Sequence, residues 1–358
     1  MRQLRIYLSY DATERGRSHF MITFLASPKP FTGLACTHQY QAIRSWLSLH
    51  AQVEVILYGD GEGSEIAARE LGVCRIPDIE TNEYGTPLFN NIVAHAAEYA
   101  RHDLQVYLNC DILLTPEFFI ALRQITHLQF LMVGSRLNLP TGYDINIFAP
   151  HWRNELLELA RQQVLVLQYP VGSDYFAFRR GMWEGLPPVA IGRAGYDNAL
   201  LAFCLSRDIP IIDATLSALA LHREHEYGHV SGGIDQVWKG IEAQRNRAAV
   251  GAKYALPTLE DAQWLLYRNC LLPNDARGNP WRAWESRLRY QQRWFYPSLA
   301  VRALRRLLTK IGCIHPTAFT PLDVLNTCFE VDPSAETHPR RQRIPTVPIS
   351  QIPNYKSF

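Results

Sequence analysis

The segment Leu104–Leu113, LQVYLNCDIL, constrains the fold more than any other part of the chain. Its centre, Val106-Tyr107-Leu108, is apolar at every position and predicts a strand that is buried on both faces. The segment also carries Asn109-Cys110-Asp111, so this strand delivers a carboxylate near its C-terminal end. Open α/β sheets bind their ligands at that edge. Asp111 is therefore a candidate ligand for a divalent cation, and capping of the following turn or helix is the alternative.

Strands and helices alternate through the first 115 residues. The apolar patterns predict strands at 20–26, 53–59, 74–79 and 104–113, with helices at 39–49, at 64–71 and from Thr86-Pro87 onward. Thr is a favoured N-cap and Pro suits the first helical position, and the pair recurs at Thr115-Pro116. This alternation predicts an α/β fold, a Rossmann-like, mostly parallel sheet with helices on both faces. The usual Gly-rich phosphate loops are absent from the sequence.

Changes in composition along the chain predict four segments. They are an N-terminal extension (1–19), the α/β domain (20–248), a helical basic and aromatic extension (249–331) and a Pro-rich, disordered tail (332–358). Between Arg287 and Lys310 there are seven basic residues and no acidic one. Two interpretations of 281–311 stay open: contact with an anionic membrane surface, or a solvated helix packed on the domain.

Composition excludes several classes of function. Apolar residues make up 47% of the chain, yet no run approaches the roughly 20 apolar residues of a membrane span, and no signal peptide is evident. The seven cysteines are scattered without a Cys-x-x-Cys pair, which argues against a disulfide framework or a thiolate zinc site. A net charge of +2 argues against nucleic acid as a partner. We therefore expect a cytoplasmic protein, peripheral at the inner face of a membrane if 281–311 binds lipid.

Seven short motifs together resemble a known class of enzyme. They are ASPKPF (26–31), NEYGTP (82–87), NCDILL (109–114), GSDYFAF (172–178), IGRAGYDN (191–198), HREHEYGH (222–229) and WKGIEAQRN (238–246). In order and spacing they resemble the GT-A class of nucleotide-sugar-dependent glycosyltransferases, in particular a family-2-like group. The resemblance covers about residues 20–248 and implies a GT-A fold and a hexosyltransferase activity.

The same resemblance implies a metal site. GT-A enzymes carry an Asp-x-Asp motif at the end of the fourth strand, and here Asn109 replaces the first Asp while Asp111 keeps the second. Asp111 is thus the expected metal ligand, and Asn109 can still coordinate or hydrogen-bond a ribose hydroxyl. A His after the last core strand often completes the site, and His222 is the best match. The implied cofactor is Mn2+ or Mg2+, with the imidazole favouring Mn2+.

The resemblance also implies the residues on the acceptor side. Asp197 matches the acidic residue at the head of a helix that takes the proton from the attacking hydroxyl in inverting members. An N-cap for that helix is the alternative. Asp174 matches a polar residue on the sugar or acceptor side before the strand YFAF, and a turn Asp is the alternative.

By the same resemblance, Ser27 to Lys29 and Asp60 would border the base and ribose of the donor. Lys29, Arg136 and Arg193 are the candidate partners of its diphosphate, because an ammonium or a guanidinium matches phosphate oxygens, although surface solubility would also explain them. The implied partners are a UDP- or GDP-sugar donor and a glycan, lipid-linked or small-molecule acceptor.

Three other functions compete with this one. His225-Glu226-Tyr227-Gly228-His229 satisfies the zinc-protease signature H-E-x-x-H, with Glu242 as a possible third ligand, but Gly228 interrupts the helix that this motif requires. A binding protein that has lost catalysis would explain Asn109. A sugar nucleotidyltransferase would need a Gly-rich basic loop after the first strand, which the sequence lacks.

Overall fold

The computed structural model describes residues 21–224, 237–249, 256–268, 270–273, 280–291, 294–313 and 319–330. The strands are β1 (Ile22–Ala26), β2 (Glu54–Tyr58), β3 (Cys74–Ile76), β4 (Leu104–Leu108), β5 (Ile112–Leu114), β6 (Leu131–Ser135), β7 (Leu137–Leu139), β8 (Val166–Leu167), β9 (Ser173–Arg179), β10 (Ile211–Asp213), β11 (Ala220–Arg223), β12 (Trp264–Tyr267) and β13 (Cys270–Pro273).

The helices are α1 (Gly33–Leu47), α2 (Ser64–Leu71), α3 (Phe89–Tyr99), α4 (Pro116–Arg123), α5 (Trp152–Arg161), α6 (Tyr196–Ser206), α7 (Ile241–Ala249), α8 (Pro280–Ser286), α9 (Phe295–Lys310) and α10 (Pro321–Phe329). A 3-10 helix spans Leu259–Asp261, and a π-helical segment, Arg287–Gln291, follows α8 directly.

Nine strands form the main sheet, in the order β13-β12-β10-β6-β9-β4-β1-β2-β3. β1 pairs in parallel with β2 and β4, and β10 pairs in parallel with β6 and β12. β9 lies antiparallel between β4 and β6, and β13 lies antiparallel to β12. The carboxyl ends of β1, β4 and β6 and the amino end of β9 therefore meet at one edge of the sheet.

Helices cover both faces of this sheet. Successive residues of a strand point to opposite faces, so neighbouring residues show which helices pack on each face. Phe24 and Val106 pack with α1, α2 and α4 in one apolar cluster. Their neighbours Leu25 and Tyr107 pack with α3 and α6 in another. The predicted fold class, a mostly parallel α/β sheet between two helical layers, is confirmed.

A second sheet, with the order β5-β11-β7-β8, lies beside the carboxyl edge of the first. β11 pairs antiparallel with β5, which places His222 opposite Ile112, and parallel with β7, which places His222 opposite Asn138. This register brings residues that are distant in sequence next to Asp111.

The segment Leu104–Leu113 does not form one strand. β4 ends at Leu108, and Ile112 begins β5 in the second sheet. The backbone N–H of Ile112 donates to the carbonyl of Asn109 over 3.1 Å, so the chain turns at Asn109-Cys110-Asp111. The apolar run is divided between two sheets, and its polar residues lie at the junction.

The two Thr-Pro pairs behave differently. Thr115-Pro116 begins α4 as predicted, with Pro116 in the first turn. The predicted start at Thr86-Pro87 is wrong, since α3 begins at Phe89. Pro87 forms an extended bridge with Thr81 and Leu88 forms one with Ala190, and extended backbone cannot belong to a helix.

The predicted C-terminal extension is helical over α8, α9 and α10, and it also supplies β12 and β13 to the edge of the main sheet. Within the ranges described, no helix is both long and apolar enough to cross a membrane. The predicted N-terminal extension, the predicted tail beyond 331 and the motif His225–His229 lie outside the described residues.

Candidate functional site

Seven polar side chains converge at the carboxyl edge of the main sheet, and we call them the strand-end cluster. They come from the loop after β1, the turn between β4 and β5, the junction of β6 and β7, and the strands β7, β9 and β11: Lys29, Asn109, Asp111, Arg136, Asn138, Asp174 and His222. All but Asn138 were candidates from the sequence. The fold therefore brings together six predicted site residues that span almost two hundred positions of the chain.

Lys29 and Asp111 form the first contact of the cluster. Lys29 Nζ donates to Asp111 Oδ2 over 2.8 Å, and Asp111 is 8% exposed. The loop that carries Lys29 is fixed by Gln39 of α1, which accepts from the Lys29 N–H over 2.8 Å and donates to its carbonyl over 3.0 Å. Because Gln39 is buried, these two hydrogen bonds anchor the backbone of Lys29.

His222 connects Asp111 to Asn138. The His222 Nε2 lies 3.9 Å from Asp111 Oδ2, and its Nδ1 lies 3.2 Å from Asn138 Oδ1. An amide oxygen can only accept, so Nδ1 carries the proton and the lone pair of the neutral ring is on Nε2. This tautomer turns a metal-ligating nitrogen toward the carboxylate side of the cluster.

Arg136 and Asp174 form the second group of contacts in the strand-end cluster. The Arg136 guanidinium donates from Nη1 to Asp174 Oδ2 and from Nε to Asn138 Oδ1, the latter over 2.9 Å. Asn109 Nδ2 donates to Asp174 Oδ1 over 2.7 Å, and the Asn109 N–H donates to the Asp174 carbonyl over 3.1 Å. Both carboxylate oxygens of Asp174 thus accept close hydrogen bonds, which fixes the guanidinium at the edge of the sheet.

The turn before Asp174 requires a glycine. Gly172 has a φ of +75°, and a Cβ at this position would lie 2.3 Å from Gln168 Cγ. The Gln168 side chain accepts from Asn138 Nδ2 over 3.1 Å. Gly172 therefore permits the close approach that supports Asn138 and delivers Asp174 to the cluster.

Asp197 lies beside the strand-end cluster, in the first turn of α6. Gly195 is the N-cap of this helix, so the alternative role of Asp197 as N-cap is excluded. Burial raises the pKa of Asp197 to about 6, and the negative charge of Asp174 adds to the shift, while backbone hydrogen bonds and Arg136 oppose it. A carboxylate with a pKa near neutrality can both accept and release a proton at physiological pH.

The cluster can supply two ligands to a divalent cation. Asp111 Oδ2 and His222 Nε2 are 3.9 Å apart, within the roughly 3 to 4 Å expected for two ligands about 2.1 Å from one ion. In the part of the chain that the structure describes, no three His, Cys, Asp or Glu side chains group as a metal site. Two protein ligands fit Mg2+ or Mn2+, which commonly take their remaining ligands from water and phosphate. Lys29 donates to the same carboxylate oxygen, so a bound ion would compete with this ammonium.

Of the other predicted donor residues, Asp60 and Arg193 have partners that are not members of the strand-end cluster. Ser27 follows β1 directly. Asp60 follows β2 closely and accepts from Arg75 Nη1 over 2.9 Å, with its side chain 76% exposed. Arg193 donates to Glu242 Oε2 over 2.8 Å and to Thr86 Oγ1 over 3.1 Å, away from the strand-end cluster. Their binding to a donor stays a prediction.

Two residues of the site were missed in the sequence. Asn138 is a polar residue between Leu137 and Leu139 in an otherwise apolar strand, and Gln39 is a buried polar residue in α1. An isolated polar side chain on a buried face needs a hydrogen-bond partner, and this rule would have marked both. What they contact could not be deduced without the fold.

Comparison with known proteins gives matches among solved structures alone. No protein-family model matches the chain. No curated protein matches it either. Among solved structures it is similar to glucosyl-3-phosphoglycerate synthase from Mycobacterium tuberculosis in complex with Mg2+ and UDP, at 16% identity and a TM-score of 0.39, over 66% of this chain and 80% of that one. The same enzyme with Mn2+, UDP-glucose and phosphoglyceric acid matches at 16% identity and a TM-score of 0.38, over 66% and 80% of the two chains. Matches at this sequence identity and TM-score do not bear on substrate or mechanism, which depend on the side chains of the site.

Proposed function

We propose that this chain is a glycosyltransferase that moves a sugar from a nucleotide-diphosphate donor to a hydroxyl acceptor. The observation that carries the proposal is the strand-end cluster, in which two cationic side chains, two buried carboxylates and a histidine meet at one sheet edge beside Asp197. Cations suit a diphosphate leaving group, and a carboxylate that titrates near pH 6 suits the acceptor hydroxyl.

The leaving diphosphate would be bound by Lys29 and Arg136. Arg136 is held by Asp174 and Asn138, so its fork is oriented before the donor arrives. Lys29 is held through its loop backbone and through an ion pair with Asp111, and a phosphate oxygen can replace that carboxylate. Both cations would stabilise the negative charge that develops on the departing diphosphate.

A divalent cation, Mn2+ or Mg2+, would be held by Asp111 and His222. When bound, it would add positive charge at the diphosphate and so assist departure. Asn138 keeps His222 in the tautomer that can ligate, and Lys29 would leave Asp111 for the phosphates.

Asp197 would act as the general base. At neutral pH its carboxylate is largely ionised, because its pKa is about 6. It would take the proton of the acceptor hydroxyl while that oxygen bonds to the anomeric carbon and the bond from this carbon to the diphosphate breaks. The products are the glycosylated acceptor, the nucleoside diphosphate and a protonated Asp197.

The first experiment is calorimetric titration of the full chain with UDP and with GDP, each with Mn2+ and with EDTA. We expect one nucleotide to bind, more tightly with Mn2+, and its identity names the donor. Failure of folded protein to bind either nucleotide would contradict the proposal.

A matched pair of variants assigns the binding to the strand-end cluster. Lys29→Met is expected to weaken nucleotide binding about tenfold through the loss of one charge-assisted hydrogen bond. Arg179→Met removes another ion pair of 2.8 Å, with Asp103, at the opposite edge of the sheet and is expected to leave binding unchanged. Binding without any turnover of the matching nucleotide-sugars would instead identify a binding protein.

A further inference from the structure

Helix α9 turns two of its three arginines, Arg302 and Arg305, inward. Arg302 and Arg305 are 17% and 15% exposed and lie against Glu285 of α8, at 3.8 Å and 3.1 Å from its carboxylate oxygens. Arg289, in the π-helical segment, lies 3.4 Å from the same carboxylate. Glu285 is buried, and a buried carboxylate needs cationic partners. This contact fixes the rotation of α9 about its axis.

The opposite face of α9 is apolar and exposed. Leu304, Leu307 and Ile311 are 41%, 55% and 60% exposed. Their spacing of three and four residues places them on one side of the helix, and exposed Ala300 extends the same line. Helices of globular proteins ordinarily bury such a stripe. Here the contact of α9 with the buried Glu285 turns this face outward. We call Ala300, Leu304, Leu307 and Ile311 the α9 stripe.

The charge around the α9 stripe suits an anionic surface. Arg306 and Lys310 are exposed beside Leu307, and no acidic residue occurs between Arg287 and Lys310. Trp294, which precedes the helix, is 59% exposed. Leucines, flanking cations and an aromatic residue are the features of helices that lie in the plane of a membrane interface.

We propose that the α9 stripe docks on a membrane surface that contains anionic lipids, with α9 lying flat in the interface. The leucines enter the boundary of the acyl chains, and Arg306 and Lys310 contact the head groups. This docking is independent of the sugar transfer proposed above, because α9 contributes no side chain to the strand-end cluster.

Co-sedimentation of the full chain with vesicles tests the proposal. We expect binding to vesicles of equal parts phosphatidylcholine and phosphatidylglycerol, weakening with added salt, and no binding to pure phosphatidylcholine. Leu307→Gln should lower the partition coefficient about tenfold. Each of Arg306→Gln and Lys310→Gln should lower it about fivefold. Leu128→Gln, at a leucine that is 87% exposed outside α9, is the matched control and should bind like the unaltered chain.

Two results would overturn the proposal. One is the failure of the chain to bind the anionic vesicles while its thermal unfolding shows that it is folded. The other is self-association of the chain that Leu307→Gln abolishes, since this would identify the α9 stripe as an interface between copies.

Discussion

Two carboxyl groups in the described part of the chain, Glu242 and Asp197, have pKa values that are shifted in opposite directions. In the Glu242 cluster, formed by Asn82, Thr86, Arg193 and Glu242, one carboxylate oxygen accepts from Asn82 over 2.6 Å and the other from Arg193 over 2.8 Å. Burial alone would raise the pKa of Glu242, but these hydrogen bonds and the charge of Arg193 lower it below its usual value. Beside the strand-end cluster, the pKa of Asp197 rises to about 6.

We expect this difference to separate a structural carboxylate, Glu242, from a reactive one, Asp197. Glu242 is matched by its donors, so its ionised form stabilises the contact of α7 with the loop before α3. Asp197 is half-buried near another carboxylate, and its ionised form costs free energy in the folded protein. Such a cost is typical of groups that exchange protons with a substrate. The predictions below test this contrast.

The largest effect is expected from Asp111→Asn, which keeps the shape of the side chain and removes its charge. Turnover, measured as nucleoside diphosphate released from the donor, should fall about 1000-fold because the cation and Lys29 lose their anchor. The isosteric change Glu242→Gln in the other cluster should retain most activity. A similar loss in both variants would remove the distinction between the clusters.

Asp197→Asn is expected to lower turnover about 100-fold or more while nucleotide binding stays the same. In the unaltered chain the rate should fall as the pH decreases through about 6, because Asp197 becomes protonated. The variant should lack this dependence. Full activity of Asp197→Asn would show that another group is the base.

Arg193→Met should destabilise the fold by about 3 kcal/mol in denaturant titration, because it leaves the carboxylate of Glu242 buried without its cation. The same change made in a Glu242→Gln background should cost clearly less, since no charge remains to be matched. Equal costs in the two backgrounds would show that the ion pair is not what stabilises the Glu242 cluster.

The smallest effect is a gain of stability in Asp197→Asn. The pKa of Asp197 is raised in the folded state, so its contribution to stability is present below the unfolded-state pKa near 4 and is lost as the pH rises through about 6. Removing the charge should therefore stabilise the protein by about 2 kcal/mol at about pH 8 and leave it unchanged at about pH 4. Glu242→Gln should instead destabilise the protein at about pH 8. If both substitutions change the free energy of unfolding in the same direction, the proposed difference between the two carboxylates is wrong.

Local sequence determined the elements that a single segment can specify. The apolar runs that became β1, β2 and β4 and the start of α4 at Thr115-Pro116 were predicted because short-range patterns decide strand and helix. Asp111 was predicted as a site residue because a carboxylate after a buried strand lies where α/β sheets bind ligands. Lys29, Asp174 and Asp197 were predicted through the resemblance of their motifs to GT-A glycosyltransferases.

Tertiary structure decided what those residues touch. Thr86-Pro87 and Thr115-Pro116 carry the same helix signal, yet only the second begins a helix, because Leu88 pairs with Ala190 and Thr86 accepts from Arg193. Likewise, the register of β11 against β5 and β7 places His222 between Asp111 and Asn138. A sequence fixes local preference through neighbours along the chain, whereas partners more than a hundred residues apart are selected only when the whole core packs.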